Sequence, residues 1–86
     1  MGPAAAEALE QSGDWSAAGT AWLQLAQATA QSELAAAYAS RACDAHRRAD
    51  EPGSAVQAIR FALTKRSATV GDAVLLAGAL LDCGEV

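Results

Sequence analysis

A thiol and an imidazole that lie one helical turn apart are the first candidates for chemistry in this sequence. Cys43 and His46 are three positions apart, so a helix places them on one face, where they could form a nucleophilic pair or half of a metal site. His46 is the only histidine in the chain, and no third ligand or oxyanion motif accompanies the pair. We therefore expect Cys43 to be packed and His46 to be an exposed residue that lines a groove.

Two further groups of charged residues invite a functional interpretation. Glu7 and Glu10 share a helix face and could act in acid–base chemistry or bind a metal if they were desolvated, but a solvated face is the simpler expectation. Arg47 and Arg48, with Arg41 before them, could hold an acidic peptide or a phosphate. The simpler expectation is that they pair with the acids interleaved among them, Asp44, Asp50 and Glu51.

The sequence contains no glycine-rich phosphate loop, nucleophile elbow or clustered cysteine ligand set. We therefore predict a protein that is not an enzyme and that has no metal or other cofactor. The net charge of −4 argues against nucleic acid as a partner. No apolar run is long enough to span a membrane, and the start of the chain lacks the pattern of a signal peptide, so we expect a cytoplasmic protein with no membrane partner.

Alanine dominates the elements that must position these residues. The chain has 86 residues, of which 52% are hydrophobic, and alanine supplies much of that fraction. Alanine favours helix and close helix packing, while β-branched and aromatic residues are sparse and no segment alternates with period two. We predict one all-α domain over residues 1–86 with about five helices.

Turn and cap signals predict where these helices begin and end. The segment Gly13–Trp22 is typical of the elbow of an antiparallel helix pair, with Ser16 as the expected cap of the second helix and Gln31 as its approximate end. The third helix is expected from a cap at Ser32 to about Ala49, the fourth from Ser54, and the fifth from the segment Thr69–Asp72 to Gly84.

A small residue followed one turn later by a large one recurs in the second and fourth helices. Ala18 and Trp22 are echoed by Ala55 and Ile59. This pattern resembles the tetratricopeptide repeat family, although the turn at Glu51–Gly53 differs from the Gly-Asp-aromatic turn at Gly13–Trp15. The resemblance implies antiparallel helix pairs stacked as a short right-handed solenoid, with repeats at 1–33 and 34–68 and the first helix of a third at 69–86. The alternative is a plain helical bundle whose alanine stripes arise from composition.

The resemblance also implies a function. Tetratricopeptide arrays typically hold a peptide or helix of a partner protein on the concave surface formed by the first helix of each repeat, which would make this chain an adaptor. The residues that would line this surface are Glu7, Glu10, Gln11, Ala39, Cys43, His46, Arg47, Val74, Gly78 and Leu81.

The fifth helix supplies a second hypothesis, in which the chain is a self-associating scaffold. Its large apolar residues surround more than one face, so stacking on the fourth helix leaves some of them bare. We expect another copy of the chain to cover them, giving a homodimer or a higher oligomer. The predicted interface consists of Leu75, Leu76, Leu80 and Leu81. A third alternative is a regulatory segment of a larger enzyme.

Overall fold

The computed structural model describes residues 3–65 and 70–82. Within these ranges the chain forms five α-helices and no strand, which confirms the all-α prediction. The helices are α1 (Pro3–Gln11), α2 (Trp15–Ala28), α3 (Ser32–Arg48), α4 (Pro52–Lys65) and α5 (Val70–Asp82). No helix in the described ranges has the length and apolarity that crossing a bilayer requires.

The cap predicted for α2 was wrong by two residues. Asp14 is the N-cap, and its carboxylate accepts a hydrogen bond of 3.2 Å from the Ala17 amide. An ionised carboxylate at this position is also stabilised by the positive end of the helix dipole. Ser16 already lies inside the helix. At the other end, α2 stops at Ala28, before the predicted Gln31, because Thr29 adopts an extended conformation.

The starts of the later helices also differ from the predictions. Gln31 rather than Ser32 is the N-cap of α3, and it makes no side-chain capping bond. α4 begins at Pro52 rather than Ser54, because proline at the first helical position loses no amide bond and already has a helical φ. Thr69 and Gly84, which were predicted to bound the fifth helix, lie outside the described residues.

The α1–α2 and α3–α4 elbows have the same backbone structure despite their different sequences. At the first elbow Gly13 has a φ of +84°, and the Asp14 amide donates back to the Leu9 carbonyl at 3.0 Å. At the second elbow Asp50 has a φ of +61°, and the Glu51 amide donates to the His46 carbonyl at 2.8 Å. Both are Schellman-type helix ends with a left-handed residue after the last turn.

Equivalent residues after the two elbows are buried equivalently. Ala18 and Trp22 follow the first elbow at the same distances as Ala55 and Ile59 follow the second. All four are almost completely buried. The small residue allows the helices to approach closely, and the large residue fills the space beside that contact. The echo seen in the sequence therefore corresponds to equivalent positions in the structure.

The helix α3 lies at the centre of the packing. It packs most extensively against α2 and α4, and it also contacts α5. Near the start of α3 the Tyr38 ring contacts Trp22 of α2, with ring centroids 5.5 Å apart, and near its end His46 lies against Gly19. The order of these two contacts shows that α2 and α3 run antiparallel.

Candidate interaction surface

His46 lies between helices rather than on the surface. Only 5% of the residue is exposed, which contradicts the expectation that it lines a groove. Its ring packs against Gly19 so closely that a Cβ at position 19 would lie 2.8 Å from the ring carbons. Glycine at this position removes the side chain that would otherwise keep α2 away from the imidazole. The single histidine is therefore a packing residue of the α2–α3 contact.

The carboxylate of Glu51, at the second elbow, holds the His46 ring in place by a hydrogen bond. Its two oxygens accept bonds from His46 Nδ1 at 2.8 Å and from the Ser16 hydroxyl at 2.9 Å. Because an ionised carboxylate only accepts, Nδ1 carries the proton. The hydrogen bond from His46, and after it the one from Ser16, holds the pKa of the Glu51 carboxyl below its usual value of 4.5. The Ser16 hydroxyl bonds the carboxylate and not the imidazole, so the three groups lack the order serine–histidine–acid of a catalytic triad. The arrangement is a structural clasp.

Two other residues predicted to line the binding surface are in the core. Ala39 and Cys43 are fully buried, so neither side chain can touch a partner docked on the outside of the helices. Cys43 is packed as expected. Among the described residues no group of three potential ligands could hold a metal ion. Because these two side chains and that of His46 are buried, the central part of the predicted binding surface is not accessible to a partner.

Glu10 connects α1 to the rest of the molecule. One of its oxygens accepts a hydrogen bond of 3.1 Å from the indole nitrogen of Trp22, and the other accepts one of 2.9 Å from Arg41. The Arg41 guanidinium in turn lies 4.3 Å above the Trp22 ring. Of the two glutamates expected on a solvated face, Glu7 is exposed, whereas Glu10 is largely covered. A buried indole N–H needs a hydrogen-bond acceptor. A tryptophan at a core position was therefore the signal in the sequence that could have predicted this contact.

The arginines of α3 are engaged within the fold. Arg48 forms an ion pair of 3.0 Å with Asp44, one turn earlier, and lies 4.9 Å from the centre of the Trp15 ring. This confirms local ion pairing for Arg48, whereas Arg41 pairs with Glu10 of another helix, α1. Arg47 packs its guanidinium over α5, where a Cβ on Gly78 would lie 2.7 Å from the guanidinium carbon.

One side of α5 packs inward. Asp72 is buried and accepts a hydrogen bond of 2.9 Å from the Ser40 hydroxyl of α3. Ala79 belongs to the core, and three leucines pack against it while remaining partly exposed. These leucines are Leu75, Leu76 and Leu80. The inward-facing residues of α5 therefore recur at helical spacing, as expected for a helix that buries one face.

The opposite side of α5 is also apolar, and it is open to solvent. Val70 is 84% exposed, Val74 62% and Leu81 63%. The alanines between them are exposed as well. We call this surface the α5 outer face and define it by Val70, Ala73, Val74, Ala77 and Leu81. A helix that is apolar on both sides is normally covered on both sides.

No family model, curated protein or solved structure matches this chain.

The α5 outer face is therefore identified by its own exposure and composition. It includes two of the residues predicted to contact a partner, Val74 and Leu81, while Gly78 lies beside it under Arg47. Glu7 and Gln11, which are also exposed, belong to α1. The structure thus divides the predicted binding residues between a polar part on α1, a buried part in α3 and an apolar part on α5.

The structure also divides the residues predicted for self-association between the two sides of α5. Leu75, Leu76 and Leu80 face the core, so Leu81 is the one member of that set on the α5 outer face. The sequence pattern indicated an apolar helix with two faces, and three of its leucines lie on the face that packs against the core while remaining partly exposed.

Proposed function

We propose that this chain is a protein–protein interaction module of the tetratricopeptide repeat type, an adaptor that holds a peptide or helix of another protein. The first support for a repeat is the equivalence of the two elbows. Gly13 and Asp50 both adopt left-handed backbone conformations, and each is followed by an acidic residue before the next helix. Such equivalence between consecutive helix pairs is a property of solenoids.

The stacking of α3 and α5 is the second support. Ser40 of α3 bonds Asp72 near the start of α5, and Arg47, further along α3, packs on Gly78, further along α5. The two helices therefore run parallel, as the first helices of successive repeats do in a solenoid. In this proposal the repeats are 1–33 and 34–68, with α5 opening a third at 69–86, and the array is right-handed.

The observation that carries the proposed function is the α5 outer face. Val70, Val74 and Leu81 expose most of their surface on a helix whose other side belongs to the core. A contiguous apolar surface on a folded domain marks an interaction site. We propose that this face, rather than the buried residues Ala39, Cys43 and His46, is the main docking surface.

The chemistry of the surface defines what it binds. Its apolar residues recur at positions 70, 74, 77 and 81, which is the spacing that an amphipathic helix uses to meet another helix. Arg47 lies at its edge over Gly78. The proposed ligand is an amphipathic helix or apolar peptide laid along α5.

Site-specific photocrosslinking tests this proposal. A benzophenone amino acid is placed at position 74 in the chain, expressed in its source organism, and the matched control carries it at Gln57, an exposed residue of α4. We expect crosslinked products of discrete mass from position 74 and none from position 57. Absence of products from position 74, or identical products from both positions, would contradict a docking surface on α5.

A second candidate function is self-association, and the distribution of exposed apolar residues favours it. Among the described residues, the exposed large hydrophobic side chains are Val70, Val74, Leu81 and Leu34. Three of these four belong to the α5 outer face. A second copy of the chain that binds through its own α5 therefore contributes its most exposed apolar surface to the contact. In the photocrosslinking experiment, this function gives a product with twice the mass of the chain.

A further inference from the structure

We propose that two copies of the chain pair through their α5 outer faces, with the two helices antiparallel about a two-fold axis. This inference rests on the second candidate function proposed above, self-association through the α5 outer face, and it gives the geometry with which two copies meet. It also fixes the direction in which the second helix runs.

The spacing of the outer face is the same in both directions. From Val70 the large and small apolar residues follow at steps of four, three and four positions, through Val74 and Ala77 to Leu81. An antiparallel copy therefore places its Leu81 opposite Val70 and its Ala77 opposite Val74. Each large side chain at an end meets a large one, and each valine near the axis meets an alanine, which permits a close approach of the helices.

Charge does not oppose the pairing of identical faces. The only charged residue between positions 70 and 81 is Asp72, and it is buried on the opposite side of α5 against Ser40. Two copies can therefore meet along this segment without placing like charges together. Like charges directly opposite each other would have cost stability.

The rest of the described surface offers no comparable apolar complement. Away from α5, the exposed large hydrophobic side chain among the described residues is Leu34, which is 40% exposed. A head-to-tail contact would therefore cover one α5 outer face with a mainly polar surface and leave the other face open. An isologous contact covers both faces at once.

The size of the contact sets its strength. The outer face extends over positions 70–81, which is about 17 Å of helix at about 1.5 Å per residue. One such helix pair covers less than the roughly 800 Å² per partner of a standard interface. The dimer is therefore reversible, and its population rises with protein concentration.

Sedimentation velocity over a series of protein concentrations tests the pairing. We expect the wild type to shift from monomer to dimer, and Val74→Glu to remain monomeric at every concentration. Ala77→Glu provides a second disruptive variant, and Leu34→Glu is the matched control, which should dimerise like the wild type. Circular dichroism establishes that each variant is folded. A wild type that is monomeric throughout, or disruptive variants that dimerise like the wild type, would overturn the proposal.

Disulfide trapping tests the direction. Val70→Cys and Leu81→Cys are made separately, with Cys83 replaced by serine to remove a competing thiol, and are mixed under mild oxidation. Antiparallel helices yield the mixed 70–81 disulfide, whereas a predominance of 70–70 and 81–81 products would overturn the proposed direction. A monomeric wild type that still gives crosslinks to a different protein from position 74 would overturn the dimer while supporting the adaptor function.

Discussion

At the scale of single residues, the contact between Gly19 and His46 determines how closely α2 and α3 approach. A Cβ at position 19 would lie 2.8 Å from the imidazole carbons, and the ring is held in place by the hydrogen bond between its Nδ1 and Glu51. We expect Gly19→Ala to destabilise the fold by about 1–3 kcal/mol, the usual cost of overpacking a filled contact. Chemical denaturation monitored by circular dichroism measures this.

The matched control is Gly53→Ala in α4. A Cβ there would meet nothing within 4 Å, so alanine should be neutral or stabilising by up to about 1 kcal/mol, because it restricts the unfolded chain. Equal effects of the two substitutions would show that helix propensity, not the His46 contact, governs position 19.

The same clasp makes stability depend on pH through Glu51. Its carboxyl has a lowered pKa in the folded protein because it accepts hydrogen bonds from His46 and Ser16. The ionised form therefore stabilises the fold above the ordinary carboxyl pKa of 4.5, and this contribution is lost as the pH falls through the lower folded-state pKa.

We expect Glu51→Gln to lose less stability than the wild type between pH 5 and pH 3, while being less stable at pH 5. Asp50→Asn is the control, because Asp50 makes no side-chain hydrogen bond among the described residues and asparagine also tolerates a left-handed backbone. Urea denaturation at several pH values gives the comparison. Parallel pH profiles for the wild type and Glu51→Gln would exclude this role of Glu51.

At the scale of elements, the two elbows differ in the residue that takes the left-handed conformation. Gly13 adopts a φ of +84° without steric cost, whereas Asp50 adopts +61° with a side chain. We expect Asp50→Gly to stabilise the fold by about 0.5–1 kcal/mol and Gly13→Ala to destabilise it by about 1–2 kcal/mol. Thermal unfolding of both variants measures this difference. A destabilised Asp50→Gly would indicate that the aspartate side chain contributes more than its backbone strain costs.

The elements themselves could be predicted from the sequence, because apolar spacing and turn residues are local signals. Helix ends were less predictable. Ser16 and Asp14 are both good caps. The Ser16 hydroxyl instead donates a hydrogen bond to Glu51, which is distant in sequence, so local signals alone could not distinguish the two candidates. The burial of His46 was likewise hidden, because it depends on the absence of a side chain at Gly19. The two-sided apolar character of α5 was visible, but which side faced inward was decided by its contacts with α3 and α4.

At the scale of the whole molecule, Trp22 joins three helices. Its ring is buried in α2, contacts Tyr38 of α3, and donates a hydrogen bond to Glu10 of α1. Among the residues that are almost completely buried, it is the largest side chain. In a core built mainly from alanine, one large side chain supplies a large share of the apolar burial.

We expect Trp22→Ala to cost about 3–5 kcal/mol, which is comparable to the entire stability of a small domain, and therefore to unfold it. Trp22→Phe is the matched variant. It retains the aromatic contact with Tyr38 but loses the hydrogen bond to Glu10, so it should remain folded with a lower melting temperature. Circular dichroism during heating distinguishes these outcomes. If Trp22→Ala kept both its helical signal and the melting temperature of the wild type, the three helices would not depend on this side chain for their association.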